Sequence, residues 1–314
     1  MKKEKVFITG ASGCVGHYVV DELKEKYELF LLVRSPGKLM FNVDNYKDIH
    51  VIEEDLDNIS NQADLLSEMD YCIHIATAWG GDYTERINVH RAHEMFNLLN
   101  RDKLKRVIYF STASILGRDM EVLEEAEKYG TEYIRTKSIC FQRLPETKIS
   151  DRIVTVFPTL VFGGDESHPF SHLTRSLPRV KKYSWLIGRL NVDAGFHFIH
   201  AEDIAKIVHH LLEVPDPEEK YVMGNEQITF GQFTRRAAEY FDRKIGWQIT
   251  IKPRYVYRLL QLIRADISEW DRFCMEYGDF VYPVVNCESL GLDSRYSTVE
   301  EVLSDWKIAK SRNN

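Results

Sequence analysis

The sequence predicts an α/β fold, an open doubly wound parallel sheet with a smaller, mostly helical C-terminal substrate domain. Three observations point to it. The chain opens on a strand, Lys5-Val6-Phe7-Ile8-Thr9, then a turn, Gly10-x-x-Gly13-x-x-Gly16, then an apolar helical stripe through Val15, Val19, Val20 and Leu23. Five more short runs of β-prone residues follow, spaced by helical or polar stretches, the alternation that builds parallel sheets. The 314 residues exceed the needs of one small core and suit two unequal domains.

The opening turn is built to take an anion. Glycines let the backbone turn tightly and approach a pyrophosphate, and the helix N-terminus supplies free N–H groups and a positive dipole end. Gly10, Ser12, Gly13, Cys14, Val15 and Gly16 are the candidate residues there. The second strand, Glu28–Val33, ends in Arg34-Ser35-Pro36-Gly37-Lys38. An acidic residue at this tip would suit the ribose 2′-hydroxyl of NAD. Arg34, with Lys38 behind it, suits the 2′-phosphate of NADP, so the expected cofactor is NADP in preference to NAD.

A third strand at Ile49–Ile52 leads to Asp55 and Leu56, and Ser60–Ser67 reads as a short helix. A fourth, Tyr71–Ile75, runs into Ala76-Thr77-Ala78-Trp79-Gly80-Gly81, whose small residues let the backbone lie against a cofactor. A helix is expected over Thr84–Asn100. It carries His90, His93 and Glu94, but their spacing is not one of the helical zinc patterns, and no metal is expected.

The fifth strand, Arg106–Phe110, delivers Ser111-Thr112-Ala113-Ser114 at the sheet edge where open α/β sheets place ligands. A long helix over Val122–Leu144 should follow, with Tyr133 and Lys137 one turn apart on one face. A free phenol titrates near 10. A neighbouring ammonium is expected to favour the phenolate and bring Tyr133 toward the working range, while a hydroxyl from the strand-five loop holds a substrate oxygen in line. Tyr240 and Lys244 repeat the spacing, but only Tyr133 lies directly after the Ser-Thr loop.

A sixth strand spans Val154–Pro158. Asp203 opens a helix to about Leu212, and Pro215-Asp216-Pro217 breaks the chain. Thr229-x-x-Gln232 and Ser297-x-x-Glu300 read as capping boxes of two later helices. Trp185, Leu186 and Ile187, and the run Tyr255 to Ile263 flanked by Arg254, Arg258 and Arg264, suggest an apolar substrate lining.

Composition narrows the class. Apolar residues make up 44% and charged residues 28%, and the net charge is −7, which gives a nucleic-acid role no electrostatic support. The pI is about 5.9. Five scattered cysteines without a Cys-x-x-Cys pair suggest free thiols in a reducing, cytoplasmic setting. A first strand this close to Met1 leaves no room for a signal peptide, and no apolar run is long enough for a membrane span.

The Thr9-Gly10-x-x-Gly13-x-x-Gly16 turn, Thr112, and Tyr133-x-x-x-Lys137 together resemble the extended short-chain dehydrogenase/reductases, the NAD-dependent epimerase/dehydratase family. His74, Ala76, Asn88-Val89, Pro158 to Gly163, and Phe196 to Ala205 extend the resemblance over about the first 240 residues. It implies a Rossmann-type domain over 1–164, with 194–214 returning to it, and a substrate domain over 165–193 and 215–314. It also implies catalytic roles for Thr112, Tyr133 and Lys137. Asp55 and Leu56 would hold the adenine, Ala76, Thr77, Ala78 and Asn88 would lie beside the cofactor, and Pro158 would sit next to the nicotinamide. Pairing through the helices at 84–100 and 122–144 implies a homodimer.

The departures bear on substrate. Ala113-Ser114 stands where the family's 4,6-dehydratases carry Asp-Glu. Phe196 stands where its epimerases place a diphosphate-gripping arginine, and Leu116 and Phe157 replace a usual tyrosine and arginine. The expectation is an NADP-dependent oxidoreductase acting on a carbonyl or alcohol of a small, largely apolar organic molecule. A nucleotide-sugar epimerase using the same trio, and a non-catalytic NADP-binding scaffold or sensor, are the alternatives.

Overall fold

The computed structural model describes residues 2–252, 255 and 267–304. The expected apolar run at Leu259–Ile263, with its arginines, falls outside these residues, as do the side chains of Trp185, Leu186 and Ile187.

Six parallel strands in chain order, β1 (Lys5–Thr9), β2 (Glu28–Val33), β3 (Ile49–Glu53), β4 (Tyr71–His74), β5 (Arg106–Phe110) and β6 (Ile153–Pro158), are joined by the strand Lys220–Met223. The seven-stranded sheet runs Lys220–Met223, β6, β5, β4, β1, β2, β3. Phe7 pairs in register with Phe30 on one side and Cys72 on the other. The chain thus starts in the middle of the sheet and winds outward twice, with a crevice opening between β1 and β4 where the winding reverses.

Both faces of the sheet are covered, which explains the near-continuous apolar strands. Val6, Ile8, Leu29, Leu31, Ile73 and Ile108 point to one face, where α1 (Cys14–Leu23) and the helix Ala201–Glu213 pack. Phe7, Leu32, Cys72, Val107 and Tyr109 point to the other, against Ala92–Leu98 and Glu132–Arg143. Each fully buried side chain of this size contributes roughly 1.5–3 kcal/mol. All five cysteines are free thiols, and Cys72, Cys140 and Cys287 are buried. No helix among the described residues is long and apolar enough to cross a membrane.

Three expected helices differ. Residues 84–100 form a π-helical segment, Arg86–Arg91, that runs into an α-helix, Ala92–Leu98. Residues 56–67 form a 3-10 segment, Leu56–Gln62, and one short turn, Ala63–Ser67. The long helix over 122–144 is two helices, Glu124–Lys128 and Glu132–Arg143. The break is at Gly130, where a Cβ would lie 2.1 Å from the Ala126 carbonyl oxygen, and Thr131 caps the second helix by accepting from the Ile134 N–H. Tyr133 therefore sits in a first helical turn rather than mid-helix.

The Thr229–Gln232 capping box is present in full. The later one is shifted by one residue: Thr298 accepts from the Glu301 N–H while the Glu301 carboxylate accepts from the Thr298 N–H. Glu300 instead pairs with Arg236.

Candidate active site

The glycine turn is determined by close backbone contacts. Gly10 has φ +80°, in the left-handed region, and a Cβ there would lie 2.7 Å from the Ala76 nitrogen. A Cβ on Gly16 would lie 2.2 Å from the Gly10 carbonyl oxygen, so α1 packs directly on the turn. Gly13 is the N-cap of α1, and no side chain caps that end. Its first N–H groups, at Cys14, Val15 and Gly16, have no intrahelical acceptor. This cradle fits a pyrophosphate.

The turn forms one end of a cavity of about 1200 Å³ along the carboxyl ends of β1, β2, β4, β5 and β6. Of the sequence candidates, Gly10, Ser12, Gly13, Cys14, Val15, Gly16, Arg34, Lys38, Asp55, Leu56, Ala76, Thr77, Ala78, Thr112, Tyr133, Lys137 and Pro158 all line it. Arg34 and Lys38 are exposed at the β2 tip, the first directly after the strand and the second in the 3-10 turn Pro36–Lys38. The Asp55 side chain caps the following turn, accepting from the Asp57 N–H at 2.9 Å.

Asn88 is the exception, because it lies buried behind the cavity wall. Its side chain accepts from the Ala78 N–H at 2.7 Å, donates to the Ala78 carbonyl at 2.9 Å, and donates to Thr136 Oγ1 at 3.0 Å. It is placed to hold the loop after β4 against the helix that bears Tyr133, rather than to touch a ligand.

At the other end Thr112 and Tyr133 line the same wall, and the Thr112 hydroxyl donates to Ser114 Oγ at 3.3 Å. Burial pushes the phenol up to about 12, with Thr112 pulling the other way. Burial likewise pushes Lys137 down to about 8. Its Nζ donates to the Phe110 carbonyl at 2.6 Å and lies 5.0 Å from the Tyr109 ring centroid. The expected acidification of the phenol by its lysine is therefore not what this site shows. The ammonium is engaged by a strand carbonyl, and the desolvation of the phenol outweighs the opposing pull of Thr112.

Several lining residues carried no sequence signal of their own. Trp79 lies over the Tyr133 ring with centroids 4.3 Å apart and planes at 24°, and meets His172 edge-on at 4.8 Å. Tyr83, Leu160 and Phe170 add apolar surface, and Arg175 adds a cation. Trp79 and Leu160 lie in stretches the sequence singled out for their neighbours, and only the folded chain brings these side chains together.

The second Tyr-Lys match does not form a site. Tyr240 ends its helix, Lys244 lies beyond it, and neither lines the cavity. The three departures from the family pattern are also placed otherwise than expected. Phe196 packs on Phe233 at 5.8 Å in an aromatic cluster with Phe162 and Phe198. Leu116 and Phe157 are fully buried in a core with Trp270. All three fill core space, so their identity reports on packing rather than on the wall that meets substrate.

The comparisons with known proteins agree with this geometry. The model of the NAD dependent epimerase/dehydratase family matches residues 6–224. Among solved structures, gox2253 is similar at 19% identity with a TM-score of 0.73, covering 99% of each chain. The UDP-N-acetylglucosamine 4-epimerase of Methanobrevibacter ruminantium, solved with UDP-N-acetylmuramic acid, is similar at 18% identity and TM-score 0.68, covering 99% of this chain and 100% of its own. The dTDP-glucose 4,6-dehydratase of Bacillus anthracis, solved with NAD, is similar at 10% identity and TM-score 0.65, covering 99% and 97%. At these identities the likeness concerns the fold. A search of curated proteins finds no match. The family model spans well over half of the sequence, and with the parallel sheet and its glycine cradle it settles the kinship: this chain belongs to the NAD dependent epimerase/dehydratase family, enzymes of the extended short-chain dehydrogenase/reductase type.

Proposed function

We propose that this enzyme is an NADP-dependent oxidoreductase acting on a carbonyl or alcohol of a small, largely apolar organic substrate. The observation that carries the reading is that Thr112, Tyr133 and, one turn on, Lys137 line the same cavity that holds the glycine cradle. The nucleotide half would be residues 1–164 and 194–214, and the substrate half 165–193 and 215–314.

Arg34 and Lys38 support NADP over NAD: both are exposed at the β2 tip, where a 2′-phosphate would have two cations within reach and no carboxylate on that tip. The bound nicotinamide would supply or accept the hydride. Thr112 would hold the substrate oxygen, and Tyr133 would exchange its proton with that oxygen. Lys137, lowered by burial, can hold or release a proton near neutral pH.

One observation favours a second reading, a nucleotide-sugar epimerase. Arg175 is an exposed cation in the cavity wall, available to a substrate phosphate although position 196 is not. The test is Tyr133→Phe. Turnover of a ketone with NADPH should fall about 10²- to 10⁴-fold with NADPH affinity retained. No turnover in wild type with NADPH bound would favour a non-catalytic scaffold, turnover unchanged in Tyr133→Phe would remove Tyr133 from the chemistry, and epimerisation of UDP-glucose with no net NADPH consumed would select the second reading.

A further inference from the structure

We propose that Trp79 sets the substrate class: its indole is a fixed platform on which an aryl group of the carbonyl substrate lies. The inference rests on reading Thr112, Tyr133 and Lys137 as the hydride-transfer site.

Of the eight large apolar side chains left exposed among the described residues, three line the cavity. Trp79 is 58% exposed, Tyr83 45% and Leu160 43%, and all three open onto it. Apolar surface left bare in a concave site is complementary to an apolar ligand. A carbonyl held by Thr112 and Tyr133 must extend its remaining atoms past the indole, because Trp79 covers the Tyr133 ring.

The indole is held rather than hinged. Ala78 on one side is locked through both its backbone groups to Asn88, and the Gly81 N–H on the other donates to the Glu132 carboxylate at 2.7 Å. Asn88 in turn donates to Thr136, so both anchors lie on the helix that carries Tyr133. Indole and phenol therefore keep one register, and His172 backs the indole edge. A loop anchored on both sides of the tryptophan makes a platform, whereas a gate would need a free side. A flat, oriented ring favours a planar partner over a flexible chain, because stacked pairs gain beyond their buried area and a chain must lose rotamer freedom to lie flat.

In the reaction to be tested, the carbonyl double bond opens. Its carbon receives the hydride of NADPH and its oxygen the Tyr133 proton. The phenolate regains a proton from solvent, and alcohol and NADP are released.

The test compares acetophenone with 2-octanone, of equal carbon count, on wild type, Trp79→Ala and Trp79→Phe with NADPH. Wild type should favour acetophenone by about tenfold in kcat/KM, expressed in KM. Trp79→Ala should lose that preference with NADPH affinity unchanged, and Trp79→Phe should keep most of it. Acetophenone binding to the NADPH complex, followed by ligand-observed NMR, should vanish in Trp79→Ala and persist in Tyr133→Phe. An unaltered preference in Trp79→Ala, or no acetophenone binding to wild type at millimolar concentration, overturns the inference. Full turnover in Tyr133→Phe overturns instead the reading it rests on.

Discussion

The two ends of the cavity are made differently. At the glycine turn the backbone does the work: Gly10 and Gly16 are required because any Cβ there would strike a main-chain atom. At the far end the side chains do it: Trp79 and Tyr83 come from the loop after β4, Leu160 from the strand Leu160–Phe162 and Arg175 from the helix His172–Ile187. The first kind of site tolerates no added Cβ at Gly10 or Gly16. The second can change its lining without disturbing the sheet, so chemistry at the phenol and choice of substrate are separable.

That contrast can be broken from either side. The largest effect is expected from Gly16→Ala. Its Cβ would lie 2.2 Å from the Gly10 carbonyl oxygen, so the turn must move and its N–H donors with it. Losing one or two charge-assisted hydrogen bonds, at about 1.5–3 kcal/mol each, should weaken dinucleotide binding by about 100-fold or more in an equilibrium titration. Arg34→Ala should cost about 10- to 100-fold in NADP affinity and little in NAD affinity, since only the 2′-phosphate loses its partner. Equal losses for both dinucleotides would remove the case for NADP.

The smallest effect concerns the joint between the two ends. His168, on the loop leading to Phe170, hydrogen-bonds Asp165 at 2.9 Å and Asp21 of α1 at 2.8 Å, and its ring stacks on Tyr18 at 3.8 Å. Burial opposes its charge, but the two carboxylates outweigh it and hold the imidazole up at about 9. A raised folded-state value means that this stabilisation is complete below the ordinary histidine value of 6.5 and is lost as pH rises through about 9. His168→Gln should therefore flatten the fall in melting temperature between those values and leave acid stability on its own terms. A wild-type profile already flat across that window would contradict the clip.

What was legible in the sequence follows the same division. Glu28–Val33 and Arg106–Phe110 are strands over the predicted residues, because a strand covered on both faces is one uninterrupted apolar run bounded by charge or turn residues. The glycine spacing pointed to the cradle because backbone clashes leave no other residue type. The break at Gly130 was hidden: Ala126 and Ile134 are both buried, so the apolar pattern continues across it, and only Gly130-Thr131 signalled a stop and a new cap. Leu116, Phe157 and Phe196 stand at positions the resemblance ties to substrate, but one-dimensional position cannot separate a residue facing a cavity from its neighbour facing the core. Trp79 stood out only as one member of the run Ala76–Gly81, since a lone aromatic in a loop acquires meaning from the ring it stacks on. The raised phenol was equally hidden, because desolvation depends on the whole surrounding fold.

The central claim is that Tyr133 carries the proton while the glycine end carries the dinucleotide. It is tested most directly by titrating NADPH into wild type and Tyr133→Phe and following ketone reduction in the same samples. Superimposable binding curves with turnover lost in the phenylalanine variant are the predicted result. Binding lost along with turnover, or turnover kept, would contradict it.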